Sequence, residues 1–564
     1  MTESAQLLKF PSPFSLEKGR ETRPAGVQLD ELLSAPDVEA RVAAFDPIHL
    51  HELIHEVGLS DAMDIALLTT PEQFQVFTDL DAWNRDRFDV ERSEQWMDVL
   101  LQLDDTRFEA VFDALDPEIL PLYLMNHLIV WLFERGENPP VVPDEENRPL
   151  IESPCHTYLI QYPADEDLAT KARELVSRLY QVLGTSNGAL MLESTRWELQ
   201  SDLEETAYRF RNARLEDFGF RSREDAMWIL SPLDPLELRA QVANLGGKEE
   251  LTVGQLGQLP RRWLDALVAA DDRFFITRCL EQLDEPHWKA VESQLVALGN
   301  TVACAVDVEA GDRVAVSNVF SDAVSTVSIG MEYCCTSSLT EGVEALKKMP
   351  LSSFHRAGRG ILLKIRKQAL DILAGGQVTV VEGSTSLLSR LESETLEALT
   401  SARGVRSPHS GEPLRRYAEV DEAIGVLLGI AAKELLFFQI LGLQLDAIKA
   451  LALTDGLAVG PGGVTFGNLL STLVLRASRQ DSKEPPPIAT LLTPLTVAEL
   501  STDVELWGRA FEAFKTGLES RLPEALRATL RAFIDQAAKE VAEQLGGITG
   551  TPEPRYITAV LVME

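Results

Sequence analysis

Positive charge is scarce in this sequence. Its 52 lysines and arginines are outnumbered by 88 aspartates and glutamates, so the formal net charge at pH 7 is −36. No lysine occurs between Lys18 and Lys171. Such an excess of negative charge repels the phosphate backbone of nucleic acids. We therefore expect no nucleic-acid partner.

Cysteine is also rare, and its pattern excludes a disulfide framework. The five cysteines contain no CxxC pair, and adjacent cysteines such as Cys334 and Cys335 have poor geometry for a bridge. We expect reduced thiols. The first twenty residues lack the uninterrupted apolar core of a signal peptide. These features predict a cytoplasmic protein.

Long hydrophobic runs without charge are missing as well. The most apolar segment, Ala423 to Leu445, carries Lys433 and Glu434 at its centre. A charged side chain at mid-bilayer costs roughly 2.5 to 3.5 kcal/mol on insertion scales. The segment is therefore predicted to be a core helix, and no integral membrane association is expected.

Local catalytic motifs are largely lacking. No serine stands in a nucleophile-elbow pattern, and the glycine-rich stretch Gly456 to Gly467 lacks the Gly-Lys-Ser/Thr of a phosphate-binding loop. No catalytic residue is predicted on these grounds. Catalytic residues that are far apart in the sequence can come together in the folded protein, so the absence of local motifs does not exclude an enzyme.

The patterns that are present predict a mainly α protein. We expect an irregular α-solenoid-like stack of helix pairs in the N-terminal half, a second helical domain in the C-terminal half, and a few short strands in insertions. The predicted segments are an extended tail (1–40), a helical repeat region (41–136), a proline-rich insertion with a possible strand at Thr157–Tyr162 (137–170), a second repeat region (171–300), a helical domain (301–480) and C-terminal helices with a possible final strand (481–564).

Helix starts recur in this chain. An apolar residue, an aspartate and a proline precede apolar-periodic segments at Phe45-Asp46-Pro47, Leu115-Asp116-Pro117 and Leu233-Asp234-Pro235. The aspartate can accept hydrogen bonds from free backbone N–H groups, and the fixed φ of proline suits the first helical turn. A longer similarity links Trp96 to Asp116 with Trp263 to Asp284. Both observations favour repeated helix pairs.

The stretch FDPIHLHELIHEVGLSD, residues 45–61, supports two interpretations. In the first it is a helix that begins after Asp46 and ends at Gly58, with Ser60 or Asp61 capping the next helix. A helical wheel then places His51 and His55 beside the apolar stripe, towards solvent. In the second, two histidines at i and i+4 hold zinc, Glu52 polarises a water molecule and Asp61 is the third ligand. This string resembles the metzincin pattern HExxHxxGxxD.

A helix rich in glutamate and arginine is the most distinctive part of the sequence. Aromatic and guanidinium groups alternate there, an arrangement suited to stacking or to binding a carboxylate or phosphate. Its Glu205 and Arg209 are spaced for an i,i+4 ion pair. A structural ion-pair network between helices is the alternative interpretation. The candidate binding residues are Glu204, Glu205, Tyr208, Arg209, Arg211, Arg214 and Asp217.

These residues carry a family resemblance. The string Glu204-Glu205-x-Ala207-Tyr208-Arg209-x-Arg211-x-x-Arg214-Leu215-x-Asp217-x-Gly219-Phe220 resembles a bacterial, multi-helical domain of unknown function, as do Pro71–Phe74 and Asp79–Trp83 upstream. The Leu-Asp-Pro helix starts are also similar to those of the helical N-terminal domain of magnesium-transporter proteins. That second resemblance implies a stack of short helices.

The sequence leaves two hypotheses for function. The first is a non-enzymatic cytoplasmic scaffold or regulatory protein that binds an unidentified protein partner through a helical surface and needs no cofactor. The second is a zinc-dependent hydrolase that uses His51, Glu52, His55 and Asp61. The position of the two imidazole rings distinguishes these hypotheses.

Overall fold

The computed structural model describes residues 25–133, 150–218, 220, 223–246, 249–250, 274–308, 313–375, 387–458, 463–479, 492–500, 504–546 and 553–563. The chain is mainly helical, which confirms the predicted fold class. It divides into two compact units, Met1–Ala357 and Gly358–Glu564. The predicted similarity at Trp263 lies outside the described residues.

The described part of the first unit is built from α-helices of 4 to 32 residues. Its α-helices are α1 (Ala25–Leu33), α2 (Val38–Ala43), α3 (Pro47–Val57), α4 (Met63–Ala66), α5 (Pro71–Asp81), α6 (Val90–Gln102), α7 (Asp105–Ala114), α8 (Ile119–His127), α9 (Glu166–Trp197), α10 (Gln200–Asp217), α11 (Arg223–Ala226), α12 (Pro235–Ala243), α13 (Phe275–Leu280), α14 (Glu285–Ala305), α15 (Arg313–Cys334) and α16 (Leu339–Lys348). Helix α17 (Leu351–Gly375) crosses the boundary between the units.

The second unit continues with helices of similar length. They are α18 (Arg390–Thr400), α19 (Tyr417–Glu434), α20 (Leu445–Ala452), α21 (Phe466–Ser478), α22 (Val504–Leu518) and α23 (Arg527–Gly546). A π-helical segment, Leu435–Ile440, follows α19 directly. Phe437 of this segment packs on Phe466 with ring centroids 4.9 Å apart, which ties α19 to α21 in the core of this unit.

In the described part of the chain, short strands form three small sheets. Strands β1 (Trp83–Asn84) and β2 (Arg87–Phe88) form an antiparallel hairpin, and β5 (Tyr158–Gln161) lies between β3 (Ile129–Leu132) and β4 (Leu150–Glu152). In the second unit β8 (Val562–Met563) lies between β6 (Leu457–Ala458) and β7 (Leu495–Thr496). Strand β5 confirms the strand predicted at Thr157–Tyr162. The predicted C-terminal strand is confirmed only at its last residues.

The predicted helix starts are correct in two of three cases. Asp46 accepts a hydrogen bond from the N–H of His49 at 2.9 Å, and Asp234 accepts one from the N–H of Leu236 at 2.9 Å. Asp116 instead lies before a helix whose N-cap is Glu118, and its carboxylate is bound by Arg214. A tertiary ion pair has replaced the local cap at this position.

Among the described residues of the first unit, two large apolar cores stand beside a smaller cluster around Ile48 and Leu215. One extends from Leu29 to Ala207 and encloses Trp96, which is fully buried. The other extends from Ala226 to Ala357, so helices on both sides of residue 300 share it. The boundary that the sequence suggested at residue 300 therefore does not coincide with a break in the core. Packing places the division after Ala357.

By length and composition, two helical stretches in the described part of the chain could cross a membrane. They are Val314–Cys334 and Tyr417–Ile440, and 56% and 33% of their apolar windows are buried within the protein. Core helices of soluble proteins meet the same criteria. Lys433 in the second stretch forms a 2.6 Å ion pair with Glu392. The absence of integral membrane association stays a prediction.

Candidate functional site

The two histidines of α3 face the protein interior, contrary to the helical-wheel prediction. His51 is 1% exposed, the side chain of His55 is 28% exposed, and their ring centroids are 4.3 Å apart. The wheel assumed one buried stripe, but α3 packs against both α1 and α5. The second neighbour covers the side of the helix that carries the imidazoles. That side was predicted to face solvent.

The imidazoles converge on Asp81, the last residue of α5. The Nε2 atom of His51 lies 2.9 Å from Oδ1 of Asp81, and the Nε2 atom of His55 lies 2.7 Å from Oδ2. The Asp81 side chain is 9% exposed. Each oxygen of one carboxylate therefore faces one imidazole, and His55 is the most exposed of the three side chains.

Helix α6 supplies further hydrogen bonds to this carboxylate. The indole Nε1 of Trp96 donates to Oδ2 of Asp81 at 2.8 Å, and the amide Nε2 of Gln95 donates to the same oxygen at 3.1 Å. Burial alone would raise the pKa of Asp81, but the two imidazoles hold that pKa well below its usual range. Asp81 is therefore an oriented, ionised carboxylate in a largely buried position.

His55 responds to the same contact in the opposite direction. Burial lowers the pKa of an imidazole, but the hydrogen bond and the charge of Asp81 outweigh burial here, and the pKa of His55 is raised. His51, His55 and Asp81 therefore lie in direct contact with one another. Together they present two imidazole nitrogens and a carboxylate oxygen towards one region.

This donor set fits a divalent transition-metal ion. One ligand atom from each of His51, His55 and Asp81 lies within 4.8 Å of the other two. Around a tetrahedral zinc ion with bonds of about 2.0 to 2.1 Å, ligand atoms are roughly 3.3 Å apart. The observed contacts of 2.7 and 2.9 Å would need to lengthen by roughly half an ångström to reach that spacing.

Asp61, which the sequence suggested as a third ligand, lies outside the cluster of His51, His55 and Asp81. It is exposed in a turn, where its N–H donates to the carbonyl of Gly58 at 3.0 Å. It also does not cap α4, since the N-cap of that helix is Ala62 without a side-chain hydrogen bond. Asp81 is 26 residues beyond His55 and reaches the site because α5 packs against α3. Sequence proximity could not identify it.

The glutamate and arginine helix, α10, forms a structural ion-pair network with α5. The guanidinium of Arg214 binds Asp79 through Nε and Nη2, at 2.8 and 2.9 Å, and also binds both oxygens of Asp116. The carboxylate of Asp79 is fully buried. Gln75 links the two acids because its Nε2 donates to Asp79 and its Oε1 accepts from the N–H of Asp116. Arg214 therefore belongs to a structural ion-pair network between helices, the alternative interpretation of this helix.

Arg211 also faces inward, with a different set of partners. Its Nε donates to the backbone carbonyl of Asp79 at 2.6 Å, and its Nη1 donates to Oδ1 of Asn212 at 3.3 Å. The guanidinium carbon lies 5.7 Å from the ring centre of Trp83 and 5.9 Å from that of Tyr208. The predicted stacking of guanidinium and aromatic groups is present in these contacts.

The remaining candidate binding residues are not gathered into this arrangement. Arg209, Glu205 and Asp217 are exposed, and Glu204 accepts a hydrogen bond from Gln200 at 3.0 Å. Within the described part of the chain, Glu205 and Arg209 do not form the ion pair that their spacing predicted. Exposed pairs of this kind contribute little to stability, so the i,i+4 spacing alone does not fix a contact.

A family model matches residues 21–563, which is nearly the whole chain. The chain belongs to the family of unknown function DUF6178. Comparison with curated proteins and with solved structures gave no match, so the resemblance to magnesium-transporter proteins gains no support. The stretches quoted for the DUF6178 resemblance, Asp79–Trp83 and Glu204–Phe220, are the ones that meet in the Arg214 and Arg211 contacts.

Proposed function

We propose that this chain is a metal-binding protein that holds one divalent transition-metal ion between His51, His55 and Asp81. The convergence of both Nε2 atoms on one buried carboxylate carries the proposal. Two imidazoles with a carboxylate are a donor set that suits zinc and neighbouring first-row ions. Zinc is the probe of choice because it has no redox chemistry.

The surroundings of Asp81 support a metal site over a purely structural hydrogen bond. Ligating carboxylates are usually held by further hydrogen bonds, and Trp96 and Gln95 already donate to this carboxylate. Bringing Asp81 together with two imidazoles in a buried site requires desolvation of a charge, which a bound cation offsets strongly. The rigid helices α3, α5 and α6 hold the donors in place.

Metal stoichiometry tests the proposal directly. Protein expressed with added zinc should retain one zinc per chain by elemental analysis after desalting. Asp81→Asn and His55→Ala should lose it, because each removes one ligand atom. Asp61→Asn should retain zinc, because Asp61 lies outside the cluster. His49→Gln, on the same helix, is the matched imidazole control.

A different pattern of zinc content among the wild-type protein and its variants would contradict the proposal. Zinc that is absent from the wild-type protein after supplemented expression contradicts it. Zinc that survives Asp81→Asn but is lost with Asp61→Asn restores the ligand set suggested by sequence. Circular dichroism of each variant establishes that loss of metal does not follow from loss of fold.

A metal-dependent hydrolase is the second candidate function. Three protein ligands leave one tetrahedral position for water, as catalytic zinc sites do, and Glu52 follows His51 in the chain. We infer that a hydrolytic role would need the carboxylate of Glu52, which is 7% exposed. Glu52→Gln should then keep zinc and lose activity towards casein or p-nitrophenyl acetate. Wild-type protein that binds zinc without cleaving either substrate counts against this role.

The protein partner predicted from the sequence stays a prediction. A test that replaces Arg209, Arg211 and Arg214 by glutamate is unsuitable, because Arg214 lies between Asp79 and Asp116. A glutamate there would place three carboxylates together in a partly buried position and destabilise the fold. Arg209→Glu is the appropriate variant because Arg209 is exposed.

A further inference from the structure

A cavity of about 260 Å³ lies in the first unit beside Arg211. Its wall is formed by residues at the end of α5 and in the β1–β2 hairpin, by α10, and by the end of α14 with the start of α15. Trp83, Tyr208 and Leu215 contribute apolar surface, and Arg211 and Asn212 contribute polar groups. This combination of aromatic walls with a few polar groups is typical of small-molecule sites.

Arg211 is a partly buried cation in this wall. No carboxylate in the described part of the chain lies within ion-pair distance of its guanidinium. Its described hydrogen bonds go to a backbone carbonyl and to the amide of Asn212. Burial lowers the pKa of Arg211, and the charge of Asp79 partly opposes this effect. An anion in the cavity would form the direct charge-assisted contact that this guanidinium does not make with a carboxylate in the described part of the chain.

The other charged groups of the cavity are engaged with one another or exposed. Arg85 and Arg223 both contact Oδ2 of Asp307, at 2.9 and 3.3 Å. Asp86 and Glu224 are exposed to solvent. Solvent screens the charges of these exposed side chains more strongly than it screens the charge of Arg211. Arg211, flanked by two aromatic rings, is therefore the determinant of ligand charge.

We propose that this cavity binds a small molecule that carries one carboxylate or phosphate group on a flat, apolar ring. The anionic group would be bound by Arg211 in a charge-assisted hydrogen bond, and the ring would pack against Trp83 and Tyr208. The cavity volume limits the ligand to roughly the size of a substituted benzene ring, because it lies just below the range of about 300 to 1,000 Å³ for ligand sites. This inference does not depend on the metal site.

Cys304 provides a readout at the cavity itself. Its thiol lines the wall and is partly exposed, and Cys155, which is partly exposed elsewhere in the first unit, serves as an internal reference. Benzoate and phenyl phosphate should slow alkylation of Cys304 by iodoacetamide in a saturable manner and leave Cys155 unchanged. Benzamide, the neutral isostere of benzoate, should protect much less. Peptide mass spectrometry measures each thiol separately.

Asn212→Asp is the decisive variant. It keeps the shape of the side chain and places a carboxylate 3.3 Å from Nη1 of Arg211, so the guanidinium acquires an internal partner. Half-saturation by benzoate should rise about tenfold or more. Asn187→Asp, an exposed isosteric change on α9, should leave it unchanged.

Three results would overturn the proposal. They are an absence of saturable protection by both anions, equal protection by benzamide and benzoate, and unchanged protection in Asn212→Asp. Arg211→Lys offers a second check, because a lysine retains the charge but not the planar donor geometry. Weakened but measurable protection is expected for it. Zinc content should be unaffected by all of these changes, which separates this site from the proposed metal centre.

Discussion

At the scale of single residues, we expect loss of the contact between Asp79 and Arg214 to lower the free energy of unfolding substantially. Asp79 is fully buried and receives two hydrogen bonds from Arg214. Arg214→Ala removes the guanidinium that binds this carboxylate and that of Asp116. Removing one partner of a buried ion pair destabilises by about 3 to 5 kcal/mol. Urea unfolding followed by tryptophan fluorescence should show a loss of that order.

Two companion variants separate the pair from its surroundings. Arg209→Ala, an exposed change on the same helix, should alter the unfolding free energy by about 0.5 kcal/mol or less. Asp79→Asn combined with Arg214→Ala should recover part of the loss, because the unpaired charge is gone. If Arg214→Ala were as stable as Arg209→Ala, the network would not be structural.

Glu94 supplies a pH-dependent share of stability. Its carboxylate lies 2.9 Å from Nε2 of His127 and 3.6 Å from Nζ of Lys171, and Tyr123 donates to it at 3.1 Å. Burial would raise the pKa of Glu94, but these partners outweigh burial and lower it below 4.5. A lowered pKa stabilises the fold above the unfolded-state pKa, and this contribution is lost as the pH falls through the folded-state pKa.

The wild-type protein and Glu94→Gln are expected to differ in how their unfolding free energy depends on acidic pH. Wild-type protein should lose more unfolding free energy than Glu94→Gln as the pH falls from neutrality to below 4.5. The exposed change Glu91→Gln, on the same helix, should follow the wild-type curve. Parallel curves for wild type and Glu94→Gln would contradict the assignment. Urea titrations at several pH values provide the comparison.

At the scale of elements, the caps of α3 show how much local sequence determines. Asp46 accepts from the N–H of His49, and Gly58 ends the helix with a φ of 99° that favours glycine. Asp46→Ala should destabilise by about 1 kcal/mol. Asp61→Ala, which removes a predicted cap that is not used, should be close to neutral. Thermal unfolding of both variants compares the two positions.

The same element shows where local sequence fails. The helical wheel of α3 placed Leu50, Leu53, Ile54 and Val57 on one apolar stripe, of which the first three are buried and Val57 is half-buried. It placed His51 towards solvent because a helical wheel with one apolar stripe assumes that the helix packs against a single neighbouring helix. Helix α3 packs against two, α1 and α5. Local sequence is also insufficient for helix α10. Its pattern of arginines predicted an ion-pair network between helices, but it did not indicate that Asp79 and Asp116 are the acidic partners.

At the scale of the whole molecule, the two units should unfold separately. Of the eight tryptophans, Trp507 is the one in Gly358–Glu564, so fluorescence follows Met1–Ala357. Zinc at a hundredfold excess over its Kd should stabilise the first unit by about 2.7 kcal/mol. Calorimetry should then show one transition that moves with zinc and one that does not. A shift of both, or of neither, would place the ion elsewhere or exclude it.

The sequence by itself determined the mainly α fold, two of the three Asp-Pro helix starts, the ends of α3 and the central strand of the proline-rich insertion. These features depend on groups that are neighbours in the chain, such as a cap and the N–H that it binds. Tertiary structure alone decided that Asp81 faces both imidazoles, that Arg214 binds Asp79 and Asp116, and that Arg211 lines a cavity. Those contacts join residues dozens of positions apart, and only the packing of α3, α5 and α10 brings them together.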